Sequence, residues 1–367
     1  MKFNFLGRTG MRVSQICMGC MTFEKGYTPK IKEEKDCYRM LDHYVDQGGN
    51  FFDMADNYPG VEEIFGRWLQ DRSDRDQFVI ASKVRFLAGK EGPNDIGLTR
   101  KHILDHIDKT LAKTHAEFID LYQMHCWDEI TPIDETLRAF DDLVRMGKIR
   151  YVGASNFAGW HITKMIDYSE AKNFVKIQNV QTQYSLLCRS PEWEVLPAIN
   201  DAGIALTSWS PLAAGWLSGK YSREAPPPSD SRMARFIKNA EEWEMTLKEG
   251  LSTQIPHPTR ITELFEHEKQ MQKNDLDRRW AIIDAVRDVA ANHEDASCAQ
   301  VALAWLLAQK GVDSLVCGFS SIRQIDENLG AMELTLAPEE LKWLDAVSHP
   351  GYPYPHDFFQ KYGVNRR

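Results

Sequence analysis

Eight short apolar runs, separated by longer segments with helical periodicity, constrain this chain most. They are Gln15–Gly19, Asn50–Asp53, Phe78–Lys83, Phe118–His125, Arg150–Ala154, Ile177–Gln181, Ile204–Trp209 and Ser314–Gly318. Phe78-Val79-Ile80-Ala81 and Phe118-Ile119-Asp120-Leu121-Tyr122 are apolar or β-prone almost throughout, as strands buried on both faces are. Strands alternating with helices predict a parallel sheet. Eight of them predict a closed (β/α)8 TIM barrel, with a doubly wound sheet as the main competitor. At 367 residues the length would admit two domains, but a large barrel takes residues 1–367 as one domain, an N-terminal β-hairpin included.

The intervening segments carry helix punctuation. Thr99 is placed to cap a helix with Ile103, Ile107 and Leu111 on one face. Thr131-Pro132 reads as a cap followed by proline at the first helical position, and that helix runs through Leu137, Phe140 and Val144 to a stop at Gly147. Ser190-Pro191 repeats the start signal, and Pro197 within that segment predicts a kink or an early end. Val301, Trp305 and Ala308 form a further stripe, stopped by Gly311.

Two regions break the rhythm. Residues 222–280 form a long insertion after the seventh strand, opening on Pro226-Pro227-Pro228-Ser229-Asp230, and are expected to be a lid, a small helical excursion or a loop. The tail, residues 348–367, mixes Pro350, Pro353 and Pro355 with Tyr352, Tyr354, Phe358 and Phe359; it is expected to be extended, with its aromatics packed on the barrel.

Charge and cysteine content exclude several classes. The net charge of −9 disfavours a phosphate-tracking nucleic-acid binder. No apolar stretch approaches a membrane span, and the N-terminus shows no secretory signal. Seven cysteines, several of them within apolar runs, point to a reducing, cytoplasmic compartment without a disulfide framework.

Catalytic residues of a barrel stand at the C-terminal ends of its strands. Asp53 ends the second run, with Tyr58 on the loop beyond; Lys83 ends the third and His125 the fourth. This set has a chemical logic. A free tyrosine, with a pKa near ~10, is a poor proton donor at neutral pH, and a neighbouring ammonium stabilises its phenolate. A carboxylate fixes the lysine and keeps it charged, and a histidine can hold a carbonyl oxygen. Together they can protonate a carbonyl oxygen while hydride reaches its carbon, help worth roughly 10²–10⁴ in rate.

Phe51-Phe52-Asp53-Met54-Ala55-Asp56-Asn57-Tyr58 resembles the aldo-keto reductase signature, with Tyr five residues after Asp. Lys83 and His125 complete that family's tetrad. Gly153-Ala154-Ser155-Asn156-Phe157, Gln181-Thr182-Gln183-Tyr184, Ser210-Pro211-Leu212 and Gln324-Ile325-Asp326-Glu327-Asn328 match further family motifs in order. Gly215-Trp216-Leu217-Ser218-Gly219-Lys220-Tyr221 resembles the loop that folds over the cofactor. The resemblance spans about residues 3–347 and is closest to the bacterial-type and potassium-channel β-subunit-like branches.

The resemblance implies an NADP(H)-dependent carbonyl reductase acting on small aldehydes or ketones, with NAD(H) as the lesser cofactor. It makes Tyr58 the acid, Lys83 and Asp53 its tuners, and His125 the carbonyl clamp. Ser155, Asn156 and Gln181 match positions that hydrogen-bond the nicotinamide carboxamide, and Trp209 replaces a stacking tyrosine. Ser210, Pro211, Leu212, Gly215, Lys220 and Arg232 match pyrophosphate-loop positions; Gly318, Ser320, Gln324 and Asn328 match the adenosine side. Gly19 and Cys20 are expected beside the cofactor, and Tyr27 and Trp127 in the substrate pocket, with Phe23 and Trp216 as further aromatics that could line it. Where many NADP-specific members carry a basic residue, this chain has Ser321 and Gln324, with Arg323 the nearby cation.

Competing motifs are weak. There is no GxGxxG. Cys17-Met18-Gly19-Cys20 is a CxxC without a partner pair, better explained as a strand end where Gly19 lets the cofactor approach. His102 and His106 share a helix face without an HExxH, so solvated surface is expected and no metal site. Gly153-Ala154-Ser155-Asn156-Phe157 lacks the second glycine of a nucleophile elbow. The alternative function is a non-catalytic, nucleotide-sensing regulatory scaffold on the same fold. The oligomeric state is not legible.

Overall fold

A computed structural model describes residues 1–86, 92–225, 228, 229, 231, 234 and 258–363, the side chains of the last segment from residue 275 onward. A short hairpin, β1 (Phe3–Phe5) with β2 (Arg12–Ser14), precedes the barrel. The barrel strands are β3 (Ile16–Gly19), β4 (Phe51–Asp53), β5 (Val79–Val84), β6 (Ile119–Met124), β7 (Ile149–Ser155), β8 (Ile177–Gln183), β9 (Ala205–Trp209) and β10 (Val312–Cys317). All pair in parallel, and β10 closes on β3. Each of the eight apolar runs overlaps one of them.

The helices follow the strands: α1 (Glu34–Asp46), α2 (Val61–Gln70), α3 (Arg100–Thr114), α4 (Ile133–Arg145), α5 (Gly159–Lys172), α6 (Val195–Ala202), α7 (Pro258–Ala291), α8 (Cys298–Leu307), α9 (Ile322–Leu329), α10 (Pro338–Ser348) and α11 (His356–Gly363). Thr99 caps α3 as expected, accepting from the His102 amide. Thr131 does not cap α4. Its hydroxyl donates to Asp128 at 2.6 Å, and Pro132 takes the capping position. Pro197 neither ends nor precedes α6; a short 3-10 turn delays the helix to Val195, so the proline falls in the first turn, where no intrahelical donor is needed.

Strand parity sorts the core. Phe51 points into the barrel, Phe52 outward to the helices, and Asp53 inward again. The lower interior is filled by Cys17, Phe51, Val79, Ala81, Leu121, Ala205 and Val316, and the hairpin plugs that end with Leu6 and Val13. The larger apolar layer lies between barrel and helices.

The irregular regions depart from expectation. Of the insertion, residues 258–280 belong to α7, whose C-terminal part buries Trp280, Ile282, Ile283, Val286 and Val289; most of residues 222–257 lies outside the described residues. The tail is not extended with packed aromatics. Its residues 356–363 form α11, and Phe358, Phe359 and Tyr362 there are more than half exposed. The solvated surface expected for His102 and His106 is also overturned, for both are buried under α3. Among the described residues no helix is long and apolar enough to cross a membrane.

Candidate active site

The alternation that sends Asp53 inward does the same for Lys83 on β5 and Gln123 on β6. Lys83 Nζ donates to Asp53 Oδ2 at 2.6 Å and to the Met54 carbonyl at 2.9 Å. Burial pushes the Lys83 pKa down, but Asp53 and then Tyr58 push it up by more, so the ammonium is retained. Lys83 Nζ lies 5.5 Å from the centre of the Tyr58 ring, and the His125 ring stands edge-on to Tyr58 at 5.9 Å. Burial, then the charges of Lys83 and Arg85, push His125 down to about 2, so it is a neutral imidazole at physiological pH.

Beneath the tetrad runs a polar layer the sequence analysis did not foresee. Asp53 Oδ1 accepts from Gln181 Nε2 at 2.8 Å and from Gln123 Nε2 at 3.4 Å. Asn179 Nδ2 donates to Gln123 Oε1 at 3.0 Å and to Thr207 Oγ1 at 3.2 Å. Gly153 makes room for this layer, because a Cβ there would sit 2.8 Å from the Gln123 side chain. The available signal was a glutamine within the apolar run Phe118–His125.

A cavity of about 300 Å3 opens above the tetrad. Gly19, Thr22, Asp53, Tyr58, His125, Ser155, Asn156, Gln181, Trp209, Ser210 and Gly318 line it. A second, of about 290 Å3, is lined by Tyr27, Lys30, Ser210, Pro211, Leu212, Gly215, Lys220, Gly318, Ser320, Gln324, Glu327 and Asn328. Thr22, Ser210, Val316 and Gly318 line both, so the two form one cleft from the tetrad to the start of α9. The Thr22 hydroxyl at the junction is buried without a hydrogen-bond partner.

Most of the expected site residues therefore converge, with four differences. Tyr27, expected in the substrate pocket, lines the second cavity beside Lys220 and Ser210 and not the cavity above Tyr58. Trp127 lines neither cavity; its indole stacks on His161 at 4.1 Å, behind the strand end. Cys20 is buried, and burial, with Asp53 next, pushes the thiols of Cys17 and Cys20 well up, which suits an inert strand end. Arg232 lies outside the described residues. Of the other aromatics, Phe23 is core and Trp216 packs edge-on against Tyr221 and Trp280. Gly19 meets β10 directly: a Cβ would lie 3.0 Å from Val316 and 3.1 Å from the Cys317 carbonyl.

The polar side chains at the mouth are held in advance. Asn156 Nδ2 donates to the His125 carbonyl at 2.9 Å, and its Oδ1 accepts from Trp209 Nε1 at 3.0 Å, which fixes the indole across the opening. The turn after β9 is conformationally costly, with Ser210, Ala213 and Ala214 all at positive φ, a concentration typical of functional loops. At the far end Ser320 donates to Gln324 Oε1 through both its amide and its hydroxyl, and Ser321 caps α9. Lys30 enters the cleft from the loop before α1, whereas Arg323 is exposed and lines neither cavity.

Comparison with known proteins agrees with this geometry. Residues 15–349 match the aldo/keto reductase family. The oxidoreductase YrpG of Bacillus subtilis is 33% identical over 369 residues, covering 98% of this chain and 99% of that protein. A probable voltage-gated potassium channel subunit beta of Oryza sativa is 32% identical, covering 95% and 96%. Versiconal hemiacetal acetate reductase of Aspergillus parasiticus is 28% identical, covering 96% and 99%. The family uses nicotinamide cofactors and acts on small carbonyl compounds, and this barrel chain is an oxidoreductase belonging to the aldo/keto reductase family.

Proposed function

We propose that the protein is an NADP(H)-dependent reductase of small aldehydes or ketones, with Tyr58 as general acid. The observation that carries this reading is the convergence of Tyr58, Asp53 and His125 on one cavity, with Lys83 bonded to Asp53 behind it, next to a second cavity that shares four of its lining residues. The cleft fits a dinucleotide: a buried, unpartnered Thr22 hydroxyl stands at its waist, and Lys30 and Lys220 lie along its outer half.

The nicotinamide would supply the hydride. Trp209, held by Asn156, offers a flat face to a ring, and Ser155 and Gln181 line the same floor. Gln181 commits its amide nitrogen to Asp53, which leaves its oxygen as the group to receive a carboxamide donor. Lys220, Ser210 and the Leu212–Gly215 turn line the stretch where a pyrophosphate would lie. Ser320, Gln324, Asn328 and the start of α9 line the adenosine end.

His125, neutral and edge-on to Tyr58, can donate to a substrate carbonyl and orient it. Tyr58 delivers a proton to that oxygen. The Lys83 charge stabilises the phenolate left behind, and Asp53 holds Lys83 in place. The unpaired cysteines suit a reducing, cytoplasmic setting.

The test is a panel of aldehydes, ketones and sugars mixed with NADPH and with NADH while reduced nicotinamide is followed by absorbance. Turnover that disappears in Tyr58→Phe is the expected result. Tight NADPH binding without turnover on any carbonyl would favour a nucleotide-sensing scaffold, a reading prompted by the resemblance to the channel β-subunit.

A further inference from the structure

A second polar cluster lies outside the barrel wall, away from the cleft. His102 and His106 stand one turn apart on α3 and face Asp56, the residue three places beyond the catalytic Asp53. All three are buried, at 1%, 2% and 5% exposure. His106 Nδ1 lies 3.2 Å from Asp56 Oδ2, and the two imidazole rings are 4.0 Å apart. One donor atom from each residue falls within 4.8 Å of the other two.

Apolar packing does not account for this cluster. Neither Asp56 oxygen accepts a well-aligned hydrogen bond, and His102 Nε2 has no partner. Buried acceptors in that condition are costly unless a cation or donor meets them. His106 Nδ1 faces one Asp56 oxygen at 3.2 Å, while its other ring nitrogen meets Lys109 at 3.5 Å; Lys113 is paired with Glu62 and Glu63, and His102 Nε2 is left over.

We propose that Asp56, His102 and His106 bind a divalent transition-metal ion of the zinc class, as a clip between the β4 loop and α3. Two imidazoles and one carboxylate suit such an ion, with water completing a tetrahedron. Bonds near ~2.0–2.1 Å require donor atoms about 3.3 Å apart, which the Asp56–His106 pair meets at 3.2 Å; His102 closes by at most about 1.5 Å. The clip would act on the loop that carries Tyr58. Asp56 precedes Tyr58 by two residues, and its amide already donates to the Lys83 carbonyl at 3.2 Å.

Cobalt(II) replaces zinc in such sites and reports its ligands by absorption. Titrating metal-stripped, tag-free full-length protein with Co2+ should give one equivalent of binding with tetrahedral visible bands and no cobalt–thiolate charge-transfer band. Zn2+ should displace it and raise the Tm. His102→Gln and His106→Gln should each weaken binding by at least roughly tenfold and abolish the Tm shift. A thiolate band, binding unchanged in both variants, or no stoichiometric binding would overturn the proposal. If the variants fold poorly, the unaltered protein still decides: anomalous scattering from a Co2+-soaked crystal places the metal among these three residues or excludes it from them.

Discussion

Lys83 Nζ stands 2.6 Å from Asp53 Oδ2 at a depth where the lysine side chain is 0% exposed and the aspartate 4%. Two charges at that depth tolerate each other's presence far better than each other's loss. Lys83→Met is therefore expected to destabilise the protein by about 3–5 kcal/mol and to leave it nearly inactive. Adding Asp53→Asn should recover much of the stability and none of the activity. Urea unfolding beside a carbonyl-reduction assay separates the two, and restored turnover in the double variant would refute the assigned role of Lys83.

Tyr58→Phe removes the proposed proton donor and keeps the ring that packs beside His125. Carbonyl reduction should fall by roughly 10²–10⁴, while NADPH affinity, followed by fluorescence quenching, stays within about threefold. Full activity in this variant would show that the proton comes from elsewhere.

Cofactor choice should rest on the far end of the cleft. A charge-assisted contact to a 2′-phosphate is worth roughly 1.5–3 kcal/mol, or one to two decades of preference. NADPH is expected to bind more tightly than NADH by a modest factor. Lys30→Ala, whose side chain lines the cleft, should narrow the gap more than Arg323→Ala, whose side chain lies outside it. Equal affinities in the unaltered protein would show that this end does not sense the phosphate.

His125 gives a pH dependence of definite sign. Its folded pKa, near 2, lies below the unfolded value of ~6.5, so its contribution is complete above pH ~6.5 and is lost as pH falls toward 2. Between pH 7 and pH 5 that loss should be about 2 kcal/mol. Urea titrations at the two pH values should show it in the unaltered protein and not in His125→Asn. An equal acid slope in both would mean that His125 is not held neutral by the fold.

The barrel was legible because short, continuous apolar runs alternate with punctuated helical segments along nearly the whole chain. The tetrad was legible because Asp53, Lys83 and His125 end consecutive strands. Gln123 and Asn179 were not, since a polar residue inside an apolar run does not announce its partners on other strands. His102 and His106 were misplaced because helix periodicity shows that they share a face but not which face meets Asp56. The helix at residues 356–363 was not legible because Pro350, Pro353 and Pro355 just before it are a signal for extended chain.

The chain of side-chain bonds from Asp53 through Gln123 and Asn179 to Thr207 also bears on how this protein can diverge. Each amide there satisfies a neighbour on another strand, so an apolar replacement at one position strands a donor or acceptor on the next. Exchanges at this level should therefore arise in compensating sets across β4, β6, β8 and β9. At the mouth the coupling is narrower: Asn156 and Trp209 share one hydrogen bond and should change as a pair. Relatives that share this polar floor but differ in substrate would show change correlated across four strands below and across a single pair above.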